Sequence, residues 1–126
     1  MRRSIAFPVA LLAISCAASP PSPAPRQLPN ELAGRIAGKP ERCVLIQAGE
    51  GLRFSEGDSQ TLLYGNGRTV WANDLGPHCT ISPNDILINE PLAPYYCRGD
   101  LVRSLDHISK IPGPACVLGD FVPYRR

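Results

Sequence analysis

The chain has no apolar run long enough to cross a bilayer, no basic cluster, no close cysteine pair and few aromatic rings. Its longest apolar stretch, residues 5–14 broken only by Pro8, has ten residues, about half of what a transmembrane helix needs. A membrane-spanning body is therefore not expected. Once Arg2 and Arg3 are set aside as part of a leader, the 13 Lys and Arg fall to 11, equal to the 11 Asp and Glu. The longest basic run left is Arg125-Arg126. Nucleic-acid binding needs a clustered positive field, so no nucleic-acid partner is expected. Cys43, Cys79, Cys97 and Cys116 lie 36, 18 and 19 positions apart. Structural zinc takes ligands in close pairs from one turn. His78 beside Cys79 does not repair the spacing, because adjacent side chains point apart. Neither a metal nor any other cofactor is expected. With only eight aromatic residues, core or rim packing is the first use for Trp71, Tyr95, Tyr96 and Tyr124, ahead of a ligand-binding aromatic surface. No internal repeat is visible.

What is present begins with a leader. Met1-Arg2-Arg3-Ser4 followed by the short apolar run reads as a secretory signal peptide over residues 1–15. Leu12-Ala13-Ile14-Ser15-Cys16 resembles a bacterial lipobox, with Ala13 where leucine is usual, and makes Cys16 the expected lipidation site. Ordinary cleavage after Ala18 is the competing outcome. Residues 16–29 carry five of the chain's 14 prolines and read as a polyproline-type tether between an anchor and a domain. Residues 30–126 form that domain. The expected location is the periplasm or the outer membrane of a Gram-negative bacterium, with a membrane reached through the lipid. Ala17 after the cysteine resembles outer-membrane sorting.

With Cys16 lipidated or removed, four cysteines remain in an exported domain of under 100 residues, which reads as two disulfides with three possible connectivities. The local argument favours Cys79 with Cys97, flanking an Ile86-Leu87-Ile88 strand, and Cys43 with Cys116 as a staple from first strand to last. "PNELAGRIAGKPERC" predicts a short helix, stopped by Gly38 and Pro40. Beyond it the pattern is β: Cys43-Val44-Leu45-Ile46, Leu52 and Phe54 in alternation, and "TLLYGNGRTVWAN", where Asn66-Gly67 predicts a type I′ hairpin turn. Leu101–Leu105 is another strand, "IPGP" at 111–114 a tight loop, and the last strand runs from Cys116 brokenly to Pro123. The expected fold is mainly β, a small disulfide-stapled barrel or sandwich-like domain of about five to six short strands with a short N-terminal helix.

The pattern "RC…FSEGDSQTLLYGNGRTVWANDL…C…YYCRGDLVRSLD…GPACVLGDFVPY" resembles a family of small, uncharacterised proteobacterial envelope proteins, a domain of unknown function. The resemblance covers most of residues 40–126. It implies export and a compact cysteine-containing domain, and it implies no activity.

Three short motifs invite chemistry. Gly57-Asp58-Ser59 matches the tripeptide around the nucleophile of GDSL-type esterases, which needs a strand-to-helix turn and a distant Asp-x-x-His. Here it precedes a hairpin, where Asp-Ser is ordinary turn chemistry. Asp106-His107 suggests an oriented general base, and with Ser104 or Ser59 it defines a small periplasmic hydrolase. Against that, sequence neighbours rarely point the right way, and a histidine after a strand is usually a turn residue. Arg98-Gly99-Asp100 suggests adhesion, while Gly-Asp before an apolar run is a common turn into a strand. The sequence therefore reads as a non-catalytic, exported and lipid-anchored binding or structural module, with an envelope protein or glycan as its unidentified partner. The hydrolase is the alternative.

Overall fold

The computed structural model describes residue 19 and residues 27–126, except 57, 80 and 92. The signal peptide, Cys16 and most of the tether lie outside the described residues, as does Gly57 of the esterase-like tripeptide. Ten strands are described: β1 (Ile36–Ala37), β2 (Cys43–Leu45), β3 (Arg53–Ser55), β4 (Asp58–Tyr64), β5 (Thr69–Asp74), β6 (Ile86–Asn89), β7 (Tyr95–Cys97), β8 (Leu101–Leu105), β9 (Pro112–Val117) and β10 (Phe121–Arg125). They form three antiparallel sheets, ordered β1-β10-β5-β4-β3, β2-β7 and β6-β8-β9. The mainly β reading holds, but the strands outnumber the expected five to six and no sheet closes into a barrel.

The "TLLY" run is buried throughout because both faces of its sheet are covered, which favours a continuous apolar stretch over alternation. In the pairing register, Leu62, Tyr64, Trp71, Asn73 and Phe121 share one face, and Leu63, Val70, Ala72 and Tyr124 the other. The first face packs with Val44, Ile81, Tyr96, Val102 and Leu118 from the other sheets and loops into the main core. The second packs on Leu32, the buried residue of a 3-10 turn at Asn30–Leu32. That turn is all that forms of the helix expected between residues 29 and 40. Gly34 takes a left-handed backbone (φ 74°), after which the chain extends into β1 and pairs with β10.

Three further expectations are corrected. Asn66 and Gly67 do not take positive φ; the left-handed residue of the hairpin loop is Gly65 (φ 79°). The loop therefore spans residues 65–68 between β4 and β5, a longer connection than a two-residue I′ turn. A Cβ on Gly67 would meet nothing, so the backbone-strain argument applies to Gly65. "IPGP" is not a loop: Pro112 opens β9, which lies at the edge of its sheet, where missing N–H donors are tolerated. The disulfides are Cys43–Cys97 and Cys79–Cys116, not the pairing that proximity along the chain favoured. Register explains the first, since β2 pairs with β7 and sets Cys43 opposite Cys97, with Cα atoms 4.1 Å apart. The second bridges a loop to β9 across 5.7 Å between Cα atoms. They close sequence separations of 54 and 37 residues, each worth about 4 kcal/mol in the chain-entropy account. Cys79 and Cys116 are buried in the core, while Cys43 and Cys97 are half-buried.

Candidate binding surface

The three motifs singled out from the sequence are occupied with their own local structure. Asp58 opens β4; its carboxylate accepts from Gln60 N at 2.8 Å and Thr61 Oγ1 at 2.7 Å. Asp106 caps the turn after β8, its Oδ1 accepting from Ile108 N (3.0 Å), Ser109 N (2.7 Å) and Ser109 Oγ (2.9 Å). The Ser109 bonds, then that of Ile108, hold its carboxyl below the usual aspartate value. His107 is exposed, and its carbonyl accepts from Lys110 Nζ at 2.6 Å. Ser104 Oγ is buried with no hydrogen-bond partner among the described residues, lying where a Cβ on Gly113 would collide with it. The structure does not join Ser104, Asp106 and His107 by hydrogen bonds among the described residues.

Arg98-Gly99-Asp100 forms a tight turn from β7 into β8. Gly99 is left-handed (φ 94°), and the Asp100 carboxylate accepts from Cys97 N at 2.8 Å. The Arg98 guanidinium lies 3.5 Å from Asp120. The aromatic residues largely pack inward. The Tyr64 ring lies tilted against Trp71, centroids 5.8 Å apart, and edge-on to Tyr96 at 5.5 Å. Trp71 Nε1 donates to Glu41 at 3.1 Å. Burial of Tyr96, with Tyr64 beside it, raises its phenol pKa. Among the described residues no group of acidic, His and Cys side chains is placed to hold a metal ion.

The outer face of the β6-β8-β9 sheet gathers four of the exposed large apolar side chains, while others, such as Ile36, Ile108 and Ile111, stand elsewhere on the surface. Register places Ile86 opposite Leu105, Ile88 opposite Arg103, Arg103 opposite Ala115 and Leu101 opposite Val117. Alternation sends Val102, Ser104 and Cys116 inward and this set outward. Ile86, Ile88, Leu101 and Val117 are 43%, 37%, 48% and 53% exposed. Together these side chains form an exposed apolar band on this face. Arg103 sits within it, and neither Arg103 nor Glu90, just past the end of β6, makes an ion pair or side-chain hydrogen bond among the described residues. Beside them lies an open depression of ≈ 290 Å³ lined by Ile88, Glu90, Gly99, Asp100, Leu101 and Arg103.

The sequence does not announce this surface, although Ile86-Leu87-Ile88 and Leu101–Leu105 both read as strands. An apolar residue at alternate positions normally marks the buried face, and here both faces of β6 and β8 carry them. That doubling was the available signal.

Fold and surface together define a class: a disulfide-stapled, three-sheet, mainly β domain whose β6-β8-β9 face is apolar and exposed among the described residues. Among known proteins no family model, no curated protein and no solved structure matches the chain. The resemblance to uncharacterised proteobacterial envelope proteins gains no support from these comparisons. The two disulfides fit an oxidising, exported environment. Among the described residues no helix is long and apolar enough to cross a membrane.

Proposed function

We propose that this protein is an exported module of the bacterial cell envelope, held to a membrane by lipid on Cys16, that works by contact and not by catalysis. The observation that carries the reading is the outer face of β6-β8-β9, where Ile86, Ile88, Leu101 and Val117 stay exposed around Arg103, which has no ion-pair partner among the described residues. The signal-like residues 1–15, the lipobox-like run ending at Cys16, the proline-rich spacer and the two bridges support export and anchoring. The resemblance to small proteobacterial envelope proteins points the same way.

Two measurements test it. Intact-mass spectrometry of the membrane fraction should find an acylated N-terminal cysteine at position 16; a mature N-terminus at Ser19 without acyl mass overturns the anchor. A photo-crosslinking amino acid at position 101, in full-length protein expressed in cells, should yield an envelope adduct. No adduct of any kind overturns the contact role of this face.

A further inference from the structure

The bare face has two properties that bear on what covers it. The first is how its edges are built. Pro112 and Pro114 lie in β9, one edge of the sheet, and lack the N–H donors that an added strand would use. The other edge, β6, is only four residues long and is followed by Glu90-Pro91. Both edges discourage pairing with a foreign strand, while the face between them is apolar. Contact through the face is therefore favoured over strand addition.

The second property is charge. Arg103 and Glu90, a cation and an anion without an ion pair or side-chain hydrogen bond among the described residues, stand on or beside the same apolar band. A membrane surface would offer headgroup phosphate to Arg103 and repel the Glu90 carboxylate. A partner of a single charge sign would satisfy one group and repel the other. A second copy of the same face, turned through a two-fold axis, offers an anion for each cation and a cation for each anion. Isologous interfaces have this self-complementarity by construction.

We infer that the outer face of β6-β8-β9 is a homodimer interface, with two copies packed sheet on sheet and Arg103 of each facing Glu90 of the other. Apolar sheets pack this way about 10 Å apart, with strands inclined by about 30°. Three strands about 4.8 Å apart and five residues tall give a footprint of only a few hundred Å². A stable complex commonly buries about 800 Å² per partner. The dimer is accordingly weak in dilute solution and forms where copies are crowded on a surface, as avidity from a shared anchor provides. This inference rests on the contact reading proposed above and names its occupant.

The test uses the full-length, membrane-anchored protein with the photo-crosslinker at position 101. The expected product is an adduct of twice the chain mass whose linked peptides both come from residues 86–117. Arg103→Glu alone and Glu90→Arg alone should each lower its yield at least about tenfold, because like charges then face each other. The double variant Arg103→Glu with Glu90→Arg should restore it. Unchanged thermal midpoints of the purified variants show that loss of the adduct is not loss of fold. An adduct insensitive to the single substitutions, or not restored in the double variant, overturns the inference. Adducts only with a different molecule also overturn it, while leaving the contact role standing. No adduct of any kind overturns both.

Discussion

Replacing Gly65 with alanine should cost far more stability than the same change two residues later. Gly65 holds φ 79°, and an L-residue there costs about 1–2 kcal/mol from its Cβ alone. The added Cβ would also lie 3.0 Å from Thr69 O and 3.2 Å from Trp71 Cζ3. Trp71 has little freedom to retreat, because its Nε1 is bonded to Glu41 and its ring lies against Tyr64. The two effects together give a loss of about 2–3 kcal/mol, in the range for a strained backbone position. Gly67 has no atom near its would-be Cβ and no left-handed φ, so Gly67→Ala should stay within about 0.5 kcal/mol of the parent. In a domain of this size about 1 kcal/mol moves Tm by about 4–8 °C. Calorimetry of the oxidised domain should therefore show a fall of about 10–20 °C for Gly65→Ala and almost none for Gly67→Ala. Equal shifts, or a larger one at Gly67, would refute the assignment of the strain to Gly65.

Asn73 is fully buried and its amide holds Gly119 by two 2.8 Å bonds, Nδ2 to O and Oδ1 from N. Asn73→Ala should cost about 2–3 kcal/mol in denaturant unfolding, because both Gly119 backbone groups lose their partners. Tyr64→Phe should cost about 1–2 kcal/mol in the same assay, since the hydroxyl donates to Leu45 O at 2.9 Å and accepts from Gln47 N at 2.8 Å. The Asp106 carboxyl is held below the usual aspartate value, first by Ser109. Its stabilisation is thus complete above the ordinary aspartate pKa and is lost as pH falls through the lowered native value. Carboxyl-carbon NMR should show Asp106 titrating below a free aspartate, and Ser109→Ala should move the midpoint upward; an unmoved midpoint rejects the capping account. Non-reducing peptide mapping should recover Cys43–Cys97 and Cys79–Cys116, and a free alkylatable Cys97 would contradict the register of β2 with β7.

What was legible in the sequence was local. The strands around "YGNG", Leu101–Leu105 and Cys116-Val117 announce themselves by β-prone residues and turn chemistry, and the turn roles of Asp58, Asp100 and Asp106 follow from residue type. Pairing was not legible. Whether Gly65 or Gly67 is left-handed depends on where Tyr64 meets Trp71, which composition does not encode. The bond from Cys43 to Cys97 likewise follows from β2 lying beside β7, elements about fifty residues apart whose adjacency only the assembled core decides. The helix at residues 29–40 failed for a related reason: two glycines lowered its cost of extending, and pairing of Ile36–Ala37 with β10 outweighed weak helical propensity. The outer face of β6-β8-β9 was hidden because an apolar residue reads as buried until its register shows otherwise.

The two disulfides interleave along the chain: each bridge encloses one cysteine of the other. A polypeptide delivered N-terminus first into an oxidising compartment presents Cys43, then Cys79, then Cys97, then Cys116. Joining each thiol to the next one to emerge would produce Cys43–Cys79 and Cys97–Cys116, and both are wrong. The native pairs become neighbours only after β7 and β9 have arrived, and the five-stranded sheet itself waits for β10, the final strand, to lie between β1 and β5. Native pairing thus requires the chain through β9 and the sheet requires it through β10, so any bridge formed earlier between Cys43 and Cys79 has to be undone by thiol–disulfide exchange. Cells lacking a disulfide isomerase should accumulate the Cys43–Cys79 isomer, detectable by peptide mapping, while slow oxidation of the complete reduced chain should bypass it.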